Sequence, residues 1–237
     1  MSNWAKKRFW KTALAEEQEA GFAILLDGRS IKTPARATLV VPSKKLADEI
    51  VIEWQAQGDI IDPMSMPFTR TSNAALDKVT HQLSEVQEHM AEYGETDLLC
   101  YRANSPQELV DRQVAAWDPL LAWSKYTFDA PLNIAQGVMY VAQPAQSLAN
   151  LKAQMTNFSA FELSGIYDLV CLSGSLVAAL AVVHKYKAAT EVWDLCRVDE
   201  FWQQEQWGVD EEAQATESAK RSEFLHANNF LATLGSF

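Results

Sequence analysis

The change of hydrophobic period near residue 72 constrains this chain more than any other feature. Before it, short apolar runs are cut by turn residues; after it, apolar positions recur at helical spacing to the C-terminus. Gly21–Asp27 (GFAILLD) is an apolar run closed by Asp27-Gly28, a dipeptide that supplies the positive φ angles of a tight hairpin. Ser30–Thr33, stopped by Pro34, is the expected return strand, and Thr38–Val41, stopped by Pro42, a third. Ser43 then caps a helix in which Leu46, Ile50, Val51 and Trp54 share one face. Residues 60–63 and Met66-Pro67-Phe68 carry too much proline for a central strand and read as an edge or a connector. The expected fold class is α+β, with a β-rich N-terminal domain over residues 1–72 and a larger all-helical domain over residues 73–237.

Helices are expected over 73–93, 106–114, 118–127, 147–160, 163–183, 188–207 and 211–234. Within them the longest uncharged run, Leu169–Val183 (LVCLSGSLVAALAVV), has 15 residues. Crossing a bilayer takes roughly 18 to 20. The run therefore reads as a buried central helix, and no membrane insertion is expected.

Charge narrows the partners. The formal net charge is −11, which disfavours nucleic acid and anionic membrane surfaces. Residues 1–75 hold ten Lys/Arg against nine Asp/Glu, whereas residues 76–237 hold ten against twenty-two, so the acidity belongs to the helical part. Cys100, Cys171 and Cys196 are odd in number, widely spaced and set among apolar residues, which reads as buried thiols in a reducing compartment. The N-terminal residues contain no apolar stretch of signal-peptide length, so a cytoplasmic location is expected.

Motifs for chemistry are sparse. His81, Glu85 and His89 sit at i, i+4 and i+8 of a helix, but the two histidines are then about 12 Å apart along the axis, too far for one ion. That face reads as solvated. No phosphate-binding loop or nucleophile elbow occurs among nine glycines, and no cofactor is expected. Asp97, Cys100 and Arg102 place an acid, a thiol and a base within six residues, which leaves a small-molecule enzyme with a pocket between the two domains as a rival reading. The cysteine itself reads as buried and inert.

Glu191–Ala213 (EVWDLCRVDEFWQQEQWGVDEEA) is the segment least like a plain core helix. If it is continuous at 100° per residue, Leu195, Val198 and Trp202 form one stripe, while Trp193, Cys196, Glu200, Gln204 and Trp207 form another. A carboxylate between two tryptophans fits contact with a basic partner, and equally fits a helix buried on both sides with Glu200 paired internally.

Several segments, taken in order, resemble the assembly chaperones of the ATP synthase alpha subunit. They are Lys7–Lys11 (KRFWK), Leu26–Pro34 (LDGRSIKTP), Glu53-Trp54, Met66–Thr69 (MPFT), Thr96–Ala103 (TDLLCYRA), Trp117-Asp118-Pro119, Ser173–Ala181 (SGSLVAALA) and Asp199–Ala213 (DEFWQQEQWGVDEEA). The resemblance implies a non-enzymatic chaperone whose partner is the alpha subunit of F1-ATPase, in a bacterium; the free protein is expected to be monomeric. It carries the functional acid of the family to Glu200, with Asp199 as the alternate; Trp193, Gln204 and Trp207, on the same stripe as Glu200, are the expected partner-binding neighbours. Trp54 also matches, and reads first as a structural anchor. A general holdase is a further alternative. Because no phosphate-binding loop is present, calorimetric titration with Mg-ATP is expected to show no saturable binding in the micromolar range.

Overall fold

The computed structural model describes residues 7–137 and 139–235; the leader reading above falls partly on residues 1–6, outside that range. The chain forms two compact units, each discontinuous in sequence. The first comprises the described residues of Met1–Leu83, Ser159–Gly165 and Asn229–Phe237, the second Ser84–Phe158 and Ile166–Asn228. The change of period marks a change of element type, whereas compactness follows burial.

In the first unit, β1 (Ala13–Gln18) pairs antiparallel with β2 (Gly21–Leu26), and β2 also carries β3 (Arg29–Ser30) and β4 (Val40–Val41). Two of these strands are shorter than expected, and β1 has no counterpart in the sequence reading, because Glu16, Glu17 and Gln18 hide its alternation on an edge facing water. The Asp27-Gly28 turn is present, with φ of 46° and 78°. Asp27 ties that turn to the preceding strand: its carboxylate accepts from the Thr12 amide at 2.9 Å and from the Lys11 amide, and these bonds hold its pKa below the ordinary value. Gly21 is required where β2 meets β4, since a Cβ there would lie 2.4 Å from the Val41 carbonyl oxygen.

Helix α1 (Lys44–Gln55) starts at Ser43, whose Oγ accepts from the Leu46 amide at 3.1 Å. Leu46, Ala47 and Ile50 pack on Ile24, Leu39 and Val41, and Phe230 closes the same core. Buried Glu53 accepts from the amides of Phe68 and Thr69 at 2.6 and 2.8 Å and from the Thr69 hydroxyl at 2.7 Å, which caps α2 (Pro67–Asp77). Burial nevertheless raises its pKa, these bonds opposing the rise. The sequence pieces Glu53-Trp54 and Met66–Thr69 are thus two halves of one joint, and Trp54 anchors it edge-on to Trp10 at 5.1 Å.

The second unit is helical except for a parallel pair, β5 (Tyr101–Arg102) with β6 (Ala135–Gln136). The expected 73–93 helix ends at Asp77 and resumes as α3 (Leu83–Glu95) after a 3-10 turn over Val79–His81. The two helices expected over 106–114 and 118–127 are one, α4 (Gln107–Phe128), which runs through Pro119 at the loss of a single amide donor. Next come α5 (Ala145–Ala153), shorter than its expected 147–160 span, then α6 (Ala160–Ser173) and α7 (Leu176–Val183). These last two replace the single helix expected over 163–183. Gly174 takes a left-handed φ of 73°, and Ser175 caps α7 by accepting from the Ala178 amide at 2.9 Å.

All eight residues of α7 are buried, so the apolar run does lie at the centre. Its Val177 amide, in the first turn, is met by Asp97, wholly buried, which accepts from it at 3.1 Å and also from the Leu99 amide at 3.0 Å. Ala178→Asp is expected to unfold this unit, since an unpaired charge there costs several kcal/mol, seen as loss of the cooperative melting transition. Burial pushes the Asp97 carboxyl from 3.8 up to about 6. With the folded pKa raised, the group's contribution to stability is full below about pH 4 and lost as pH rises through about 6. Across that window wild type should lose up to roughly 3 kcal/mol relative to Asp97→Asn, measured by urea unfolding of both at each pH.

Candidate functional site

The tryptophan-rich segment is not one helix. It divides into α8 (Ala189–Leu195) and α9 (Val198–Trp207), and α10 (Glu211–Leu234) follows after Gly208, which takes a φ of 88°. The break falls at Cys196-Arg197, where Arg197 leaves helical geometry at φ −113° and ψ 18°. The two stripes drawn through a continuous helix therefore do not exist as single faces.

Arg197 accounts for the break. One guanidinium nitrogen, Nη2, donates to the carbonyls of Leu172 and Ser173 at 3.0 and 3.4 Å, at the C-terminal end of α6. Nη1 donates to Glu200 at 2.7 Å, and the guanidinium lies over the Trp193 ring at 4.7 Å. Trp193 is fully buried, packed on Phe224 at 5.3 Å, with its Nε1 donating to Glu217 at 3.1 Å. The expectation that Trp193 contacts a partner is corrected on this point: once α8 ends at Leu195, its ring turns into the helical core.

The remaining expected site residues separate clearly. Asp199 faces α4, accepting from Gln113 Nε2 at 2.6 Å, while Gln113 Oε1 accepts from the Ala103 amide at 2.8 Å. Beside it Arg112 bridges Glu205 at 2.8 Å and Glu108 at 3.0 Å and stacks on Trp202, which binds α9 to α4. The same guanidinium holds the Glu205 carboxyl below its usual pKa. Glu200 stands on the other side of α9, with its side chain 42% exposed. Gln204 is half-buried next to it, and Trp207 is 79% exposed at the end of the helix, followed by exposed Val209.

Between α9 and α10 lie two adjoining hollows of about 420 and 520 Å³. Glu200, Asp210 and Glu217 line both; Arg197 and Lys220 belong to the first, Gln204 and Trp207 to the second. Four carboxylates, of Glu200, Asp210, Glu212 and Glu217, oppose the cations of Arg197 and Lys220 in the first hollow, so it is net acidic. Two of its organising residues escape a reading of the sequence. Arg197 gives only the local hint of an i, i+3 acid, and Glu217 meets Trp193 across 24 residues with no local signal at all.

The groups of the rival enzyme reading are committed to structure. Asp97 caps α7, burial pushes the Cys100 thiol up to about 12, and Arg102 binds Asp118 at 2.9 Å and the Leu99 carbonyl while lying over Trp117. Among the described residues no group of three or more His, Cys, Asp or Glu is placed to hold a metal ion, and His89 packs against Tyr93 and Tyr167. Since Arg197 joins three elements at once, Arg197→Ala should destabilise the protein by roughly 2 kcal/mol or more, read as a lowered urea midpoint with unchanged slope.

Residues 7–125 match the family model described as ATP12 chaperone protein. Over 223 residues the chain is 22% identical to the mitochondrial protein atp12 of Schizosaccharomyces pombe, covering 87% of this chain and 75% of that one. The structure of Atp12 from Paracoccus denitrificans is 39% identical with a TM-score of 0.93, over 98% of this chain and 100% of the other. A candidate chaperone from Agrobacterium tumefaciens is 36% identical with a TM-score of 0.92, over 96% and 86%.

Proposed function

We propose, from the premise that the chain belongs to the ATP12 chaperone protein family, that it is an assembly chaperone for the F1 part of ATP synthase and holds the free alpha subunit until the beta subunit replaces it. The family description and the Agrobacterium relative, both named as chaperones, support a non-enzymatic role. The observation that carries the reading is the α9–α10 groove, where exposed Trp207 stands beside half-exposed Glu200 in a net-acidic hollow. An unassembled subunit exposes apolar surface that later meets its neighbour, and such surface self-associates. A protein that masks it without ATP acts by mass action alone. It has to bind more tightly than the client binds itself and more weakly than the proper neighbour.

The division of labour in the groove suits that requirement. Trp207 supplies apolar area that is open before the partner arrives, and Glu200 supplies orientation, since an ion pair in a half-dried site contributes selectivity more reliably than affinity. Gln204 borders the same hollow. Asp199, engaged with Gln113 inside the α4–α9 contact, is the lesser candidate of the two acids. The free thiols of Cys100, Cys171 and Cys196 support a reducing, cytoplasmic setting, and no helix among the described residues is long and apolar enough to cross a membrane. The free protein is proposed to be a monomer.

Glu200→Lys is expected to abolish capture of purified alpha subunit. Its pair with Arg197 is partly exposed, so the melting temperature should fall only modestly. Trp207→Ala should weaken capture with little loss of stability, because Trp207 is 79% exposed in the free protein. Light scattering of warmed alpha subunit with each variant at one-to-one ratio, beside an unrelated client, makes the measurement. Equal protection of both clients would identify a general holdase instead.

A further inference from the structure

We propose that Glu217 is the second acid of this groove, that with Glu200 it receives the guanidinium of an arginine-bearing segment of the client, and that buried Trp193 aims both carboxylates. The proposal rests on the α9–α10 groove being the client site. Glu200 and Glu217 come from different helices and line the same two hollows. Each is held through one oxygen: Oε1 of Glu217 accepts from Trp193 Nε1 at 3.1 Å, and Oε1 of Glu200 accepts from Arg197 at 2.7 Å. Arg197 in turn lies on the Trp193 ring, so one buried indole sets the first carboxylate by its N–H and the second through the cation on its face. Among the described residues, these bonds use Oε1 alone in both carboxylates.

The other acids of the groove have other duties or positions. Asp210 caps α10, its Oδ1 accepting from the amides of Glu212 and Ala213 at 2.9 and 3.0 Å, and Glu212 borders only the first hollow. Arg197 and Lys220 offset two of the four negative charges that line the first hollow, and Glu217 is one of the acids whose charge makes room for a further cation next to a guanidinium already in place. A guanidinium suits two carboxylates on separate helices because its five N–H donors fan out in one plane, whereas an ammonium is a compact point charge. The open ring of Trp207 beside the second hollow offers a face on which that plane can stack.

The test compares wild type, Glu217→Gln, Trp193→Phe and Glu200→Lys by calorimetric titration with purified alpha subunit, with a melting curve for each. Glutamine still accepts from the Trp193 N–H, so Glu217→Gln removes charge and leaves the anchor. It should weaken capture by about tenfold or more, the scale of a lost charge-assisted hydrogen bond, at unchanged melting temperature. Trp193→Phe keeps the ring on Phe224 and should weaken capture in the same direction. Acetyl-arginine amide should displace the client better than acetyl-lysine amide at equal ionic strength. Wild-type affinity in Glu217→Gln, with capture lost in Glu200→Lys, overturns the proposal and leaves the client site standing. Wild-type affinity in both variants overturns the client site and the proposal with it. Equal displacement by the two amides overturns the assignment to arginine.

Discussion

The geometry of the groove descends from the way a fully buried helix has its ends satisfied. Every residue of α7 is apolar and inside, so its first amides have no water to meet. Asp97 and Ser175 supply the acceptors, and they can do so only because Gly174 ends α6 and lets α7 begin afresh. That break exposes the carbonyls of Leu172 and Ser173, to which Arg197 donates. Arg197, out of helical geometry, stands between α8 and α9, with Trp193 buried before it and Glu200 on the open side after it. An acid on the surface is thus oriented by a cap in the core.

The same chain of contacts explains why neighbouring acids have different roles. Asp199 and Glu200 are one residue apart, so on a helix they point about 100° from each other. Asp199 is drawn to Gln113 on α4, where Arg112 and Trp202 already clamp the two helices, and Glu200 is left with Arg197 and the groove. A half-exposed pair contributes little to stability. On the proposed function, its value lies in fixing where a negative charge stands before a partner arrives, which spares the cost of ordering it on binding.

Much of the architecture was legible because local chemistry and burial agreed. Asp27-Gly28 demands a tight turn, Ser43 an N-cap, and a 15-residue apolar run a place in the core, and each is found where those residues stand. Helix boundaries were less legible. Pro119 does not interrupt α4, because a proline removes only one donor, whereas Ser173-Gly174-Ser175 divides an apolar run that periodicity alone reads as continuous. The helical pieces that complete the first unit, Phe230 foremost, were likewise hidden, since nothing local tells a C-terminal helix which sheet it will cover.

What the sequence determined by itself is the α+β class, the acidity of the helical part and the absence of a phosphate-binding loop. The order of its motifs along the chain also carried the resemblance to a chaperone family, which residues 7–125 and the Paracoccus structure bear out. Tertiary structure alone decided that Trp193 is buried, that Glu200 and not Asp199 lines the groove, and that Glu217 lines it too. The reason is one of range. Period, turn chemistry and net charge are properties of neighbouring residues, whereas an indole meeting a carboxylate 24 positions away, or an arginine meeting the end of a helix 25 positions back, exists only once the chain has closed on itself.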